Sequence, residues 1–123
     1  MSQEISPQLQ NQIAQLQQLQ QQAQALTMQK SQIEMMLKEM DGALEELVKA
    51  GDDDVIYRNV GEILIKSDKA SVQADLTEKK ETFDLRLKTI ERQDERVQKR
   101  FQQLQEQVKQ AIGDVQGAPG AAI

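Results

Sequence analysis

Apolar side chains recur at alternating intervals of three and four residues from Ile5 to Leu47, in a field that is mostly glutamine before Lys30 and mixed charge after it. With Ile5, Gln12, Leu19, Leu26, Ile33, Met40 and Leu47 at d and Leu9, Leu16, Ala23, Lys30, Leu37 and Leu44 at a, one heptad register runs unbroken to Ala50, and only Gln12 and Lys30 are polar on it. That regularity argues against reading the glutamine-dense stretch Gln10 to Leu26 as disordered. Glutamine is a good helix former and fills the outer positions, while the leucines continue the seam. Ser6-Pro7 suits the start, with serine as N-cap and proline at the first helical position.

A second register takes d at Leu76, Phe83, Ile90, Val97, Leu104 and Ala111 and a at Lys80, Leu87, Asp94, Phe101, Val108 and Val115, with Lys80 and Asp94 as its polar members. Asp68 can cap this helix, and Gly113 with Gly117, Pro119 and Gly120 is expected to stop it. Each helix would be roughly 65 Å long at 1.5 Å per residue.

Between them the period changes. In "GDDDVIYRNVGEILIKSD", Gly51 to Asp68, the runs Val55-Ile56-Tyr57 and Ile63-Leu64-Ile65 flank Asn59-Val60-Gly61-Glu62, whose glycine can take the positive φ of a hairpin turn. Helices joined by so short a connector must fold back antiparallel. The expected fold is therefore mainly α: an antiparallel two-helix coiled coil with one β-hairpin at the bend. Its segments are a first helix over 1–50, the hairpin over 51–68, a second helix over 69–112 and a disordered tail over 113–123.

An isolated two-stranded hairpin is marginal in water, and Ile56, Ile63 and Ile65 cannot all be covered by their own helices. Unpaired strand edges invite pairing, so hairpins of several copies or relatives are expected to join edge to edge into a closed or nearly closed sheet in an oligomer. The alternative is a hairpin tucked against its own coiled coil. Lys30 and Asp94 occupy core positions at similar distances from the bend and could pair to fix register, or Lys30 could snorkel to solvent.

Composition narrows the function. The 123 residues contain no cysteine, histidine or tryptophan. Disulfides and thiolate metal sites are thereby excluded, and the commonest general base is missing. No catalytic residue, cofactor site or metal site is expected. A net charge of −5 argues against nucleic acid as principal partner. Neither a secretory signal nor a membrane span is legible, which points to the cytoplasm. Asp52-Asp53-Asp54 lacks the ligand spacing of a calcium loop and reads as a solvated turn. "ERQDERVQKR", Glu91 to Arg100, reads as a solvated mixed-charge face. Met28, Met35 and Met36 resemble the adaptable surfaces of promiscuous binders, whereas Met40 lies on the seam.

The ends of the helices far from the hairpin carry few charges: only Glu4 within residues 1–29, and Glu106, Lys109 and Asp114 between Phe101 and Gln116. Few salt bridges can lock them. With Ile13 and Ile112 flanking the seam, they are expected to offer a partly apolar groove that could hold exposed segments of other proteins.

The hairpin "VIYRNVGEILIKSD" (Val55 to Asp68), running into "LTEKKETFDLRLKTIERQDERVQKR" (Leu76 to Arg100), closely resembles the beta subunits of archaeal prefoldin over roughly residues 5–112. The resemblance implies a hexamer of two alpha and four beta subunits whose hairpins form β-barrels. It also implies ATP-independent capture of non-native polypeptides at the coiled-coil tips and delivery to a group II chaperonin. Carried onto this chain, the oligomer interface would be Val55, Ile56, Tyr57, Val60, Ile63, Leu64 and Ile65. Client contacts would be Ile5, Leu9, Ile13, Leu16 and Leu19, with Phe101, Leu104, Val108 and Ile112. A structural coiled-coil tether with one defined protein partner is the rival reading of the same residues.

Overall fold

The computed structural model describes residues 6–116. Helix α1 runs Pro7–Lys49, strand β1 Ile56–Val60, strand β2 Ile63–Ser67 and helix α2 Lys69–Gln116. The order and type of elements are those the periodicity predicts. Ser6 caps α1, its Oγ accepting the Leu9 N–H at 3.1 Å, and proline at the next position has no N–H to satisfy.

At the far end of α1, Ala50 N–H still bonds the Glu46 carbonyl. The acidic triplet then stops the chain locally. Asp54 Oδ2 accepts the Gly51 N–H at 2.7 Å, while Lys69 of α2 donates to the Ala50 carbonyl at 2.8 Å and lies 3.7 Å from Asp52 Oδ1. Orphaned helix-end groups are thus satisfied by side chains at both sides of the connector.

The strands pair antiparallel, with Val60 opposite Ile63 and Ile56 opposite Ser67. Two residues, Gly61 and Glu62, make the turn. Gly61 has φ of 63° and no other described residue has positive φ, the pattern of a type II′ turn with glycine first. An alanine at Gly61 must adopt the left-handed region at a cost of about 1–2 kcal/mol. Gly61→Ala is therefore expected to lower the midpoint of chemical unfolding without changing helix content, as measured by circular dichroism.

Asp68 begins α2 as its cap. Its Oδ1 accepts the Ser71 N–H at 2.8 Å and its Oδ2 accepts the Ser71 hydroxyl at 3.0 Å. The Ser71 backbone bond, then the hydroxyl, hold the Asp68 carboxyl below its ordinary 3.8. A lowered carboxylate contributes stability that is complete above the ordinary value and lost as pH falls through the lower folded-state value. The protection of the Ser71 amide from exchange, relative to an unprotected amide at the same pH, should accordingly fall only in acid, and Asp68→Ala should lower it at neutral pH and abolish that acid dependence.

Helix α2 continues through Gly113 to Gln116, past the stop expected at residue 112. One glycine lowers helix propensity by about 1 kcal/mol without forcing a left-handed turn, so it does not by itself end a helix already propagating. Residues 117–123, the rest of the expected tail, lie outside the described residues.

The chain packs as two compact units. In the unit formed by residues 1–28 and 91–123, Leu9, Leu104 and Val108 are buried, and Ile13, Leu16, Leu19, Val97, Phe101 and Ile112 are half-buried. In the unit formed by residues 29–90, Leu47 and Ile90 are buried, with Ile33, Leu37, Leu44, Phe83 and Leu87 half-buried. No described side chain falls below 2% exposure, because a helix with one partner can hide only one stripe.

Candidate functional site

Two surfaces carry the expected chemistry of assembly and capture. The first is the hairpin. Its register places Ile56, Arg58, Val60, Ile63, Ile65 and Ser67 on one face and Tyr57, Asn59, Leu64 and Lys66 on the other, since successive side chains alternate. Val55, Tyr57, Val60, Ile63, Leu64 and Ile65 are all exposed, from 48% at Ile65 to 64% at Ile63 and Leu64. Ile56 alone of the expected interface set is half-buried. Apolar side chains thus stand in water on both faces of a sheet that has only two strands, each with one unpaired edge.

The hairpin does not tuck fully against its own helices. Arg58 on β1 reaches Asp75 on α2 at 2.6 Å, which holds the covered end of the sheet near the helix and leaves the turn end free. The two residues give little warning in sequence, because each reads as one more surface charge until the register puts Arg58 on the helix-facing side.

The ion pairs of the described residues involve neither Lys30 nor Asp94. Asp94 Oδ1 is shielded from solvent and has no hydrogen-bond partner, and Lys30 is half-buried without an ion pair among the described residues. The seam cation that does pair is Lys80, whose Nζ lies 2.5 Å from Asp41 Oδ1. Asp41 sits beside the seam and not on it, a position that a scan of a and d alone passes over. The Asp41 bond and charge raise the Lys80 ammonium above its ordinary 10.5. A raised lysine contributes fully below that value and loses its contribution as pH climbs through the higher one, so the pair holds across neutral pH.

The second surface is the seam of the unit formed by residues 1–28 and 91–123. Of the expected client contacts, Leu9, Leu104 and Val108 are buried. Ile13, Leu16, Leu19, Phe101 and Ile112 are half-buried, and Ile5 lies outside the described residues. Leu9, Leu104 and Val108 are covered because leucines in register on two helices pack on each other before they face water, while the other five described residues of the set keep part of their apolar surface exposed. The four ion pairs of the described residues, Lys49–Glu46, Arg58–Asp75, Lys69–Asp52 and Lys80–Asp41, all fall within residues 29–90. The described residues of the other unit carry no ion pair.

No helix among the described residues is long and apolar enough to cross a membrane. What the fold defines is a pair of long helices joined by a solvent-exposed β-hairpin. Comparison with known proteins gives the family. The family model described as "Prefoldin subunit" matches residues 10–115. The prefoldin subunit beta of Methanococcoides burtonii is 61% identical over 92% of this chain and 97% of its own, and that of Methanothrix thermoacetophila is 56% identical over 94% and 96%. The crystal structure of the prefoldin beta subunit from Thermococcus strain KS-1 superposes with a TM-score of 0.81 at 36% identity, covering 89% of this chain and 96% of that one. The chain belongs to the prefoldin subunit family, a family of chaperone subunits, and resembles its archaeal beta members.

Proposed function

We propose that this chain is the beta-type subunit of a hetero-oligomeric holdase, joined to alpha-class partners in a hexamer of two alpha and four beta subunits through its hairpin. Without nucleotide, it captures non-native polypeptides at the coiled-coil ends far from the hairpin and passes them to a group II chaperonin. The observation that carries capture is the contrast between the two units. All four ion pairs of the described residues fall in the hairpin-bearing unit, while among the described residues of the other unit Leu9, Leu104 and Val108 are buried and Ile13, Leu16, Leu19, Phe101 and Ile112 half-buried. Those same side chains become a binding surface when it opens. Local opening is cheapest where few interactions must be broken.

The test is light scattering of a chemically denatured, unrelated protein diluted into buffer with this chain and an alpha-class partner, without nucleotide, with the particle sized by sedimentation. Suppression by a particle near six subunits supports the proposal. A coiled-coil tether would sediment with its one partner and leave aggregation untouched.

A further inference from the structure

Within residues 29–90 the two helices leave an open groove of about 570 Å³ whose wall includes Ile33, Met36, Phe83, Leu85 and Ile90. Met36 and Leu85 stand 44% and 65% exposed, so the apolar surface is presented to solvent and not folded inward. Among the lining residues the single charge is Arg86, and none is acidic.

That arginine has no ion pair among the described residues. Its helix neighbours three and four positions away are Thr82, Phe83, Thr89 and Ile90, none of which can answer its charge. Across the groove α1 presents Gln29 and Gln32. The guanidinium instead lies 5.2 Å from the centre of the Phe83 ring, stacked over the apolar floor. Thr82 and Thr89 spend their hydroxyl protons on the Glu78 and Leu85 carbonyls of their own helix. The polar groups left to meet a ligand are one cation and two amides.

We infer that this groove is a second polypeptide-docking site, selective for apolar segments flanked by carboxylates. The inference rests on the holdase reading and assigns it a subsite in the hairpin-bearing unit. An apolar side chain of such a segment fills the space between Met36 and Leu85, and its flanking carboxylate pairs with Arg86. Gln29 and Gln32 can donate to and accept from the segment's backbone whatever its side chains, so recognition needs charge and apolarity but no fixed sequence. Methionine at the rim adapts to side chains of different shape. From Gln29 to Met36 the floor is roughly 10 Å long at 1.5 Å per residue, enough for a short segment and too little for a folded domain.

The probes are a short fluorescein-labelled leucine peptide flanked by glutamates and its lysine-flanked counterpart, titrated with the full chain at low salt and followed by anisotropy. The glutamate peptide should bind about fivefold more tightly than the lysine peptide, the span of one partly exposed ion pair against its repulsive opposite. Arg86→Glu should reverse that ratio, and Leu85→Ser should weaken both peptides equally. Equal affinities for the two peptides, or a ratio unmoved by Arg86→Glu, overturn the inference. So does loss of both peptides in Ile13→Ser, in the other unit, with Leu85→Ser binding normally. Failure of the holdase reading is seen separately, as wild-type chain and partner that do not suppress aggregation.

Discussion

Ile63→Asp is expected to leave the chain folded and to abolish its assembly. Ile63 is 64% exposed, so exchanging it removes little internal packing, and surface changes of this kind move stability by about 0.5 kcal/mol or less. Helix content by circular dichroism should be unchanged. In an assembly that covers the hairpin, the same aspartate must be buried without a partner, which costs several kcal/mol per site by mutational measures of unpaired charge. Repeated at each beta subunit, about 3 kcal/mol is more than a hundredfold in each association constant. Sedimentation with an alpha-class partner should therefore show separate chains where the unmodified protein gives one particle. Leu64→Asp, on the opposite face of the sheet, identifies which face the assembly covers. A barrel buries one face and can expose the other, so only one of the two variants should be fatal to assembly. If both variants still assemble fully, the hairpin is not the interface.

Serine at Leu9, Leu16 and Leu104 together is expected to eliminate suppression of aggregation while leaving assembly intact. Leu104 is 2% exposed and Leu9 4%, so each truncation removes buried methyls from a unit that has no ion pair among its described residues to compensate. Leu→Ala at such sites costs about 2–5 kcal/mol, and introducing a hydroxyl adds to it. The triple variant thus opens the far ends and strips them of apolar surface at once. Leu104→Ala separates the two effects. It should speed amide exchange in residues 7–28 and 91–116 while leaving most of the client surface in place, and its suppression should persist. A triple variant that suppresses aggregation as well as wild type would sink capture at these ends, and hexamer formation by sedimentation would show that the loss, when it occurs, is not a failure to assemble.

Much of this molecule was legible because a coiled coil is nearly one-dimensional. The heptads of Leu9 to Leu47 and Leu76 to Val108 specify both the helices and their buried stripes, and Ser6 and Asp68 mark the caps by side-chain chemistry alone. Gly61 announced the turn for the same local reason: only glycine takes that φ without strain. The end of α2 was misread at Gly113 because breaking signals are statistical, and an established helix carries over a single poor residue.

Interactions across the chain were not legible in this way. Lys80 looked like a fault in the register until Asp41 was placed beside it, and Arg58 and Asp75 became partners only through the side of the sheet on which Arg58 falls. The same holds for the residues expected to contact clients. Sequence identified the apolar residues of the far ends, yet whether they face water or each other depends on packing, and Leu9, Leu104 and Val108 face inward.

The sequence by itself determined the two helices, the hairpin and its turn, because each follows from local periodicity, capping and backbone sterics. Tertiary structure alone decided which charges meet, which apolar residues of the seam are closed, and that Arg86 stands unanswered over an apolar groove. Those outcomes depend on distances between residues far apart in the chain, which no local pattern encodes.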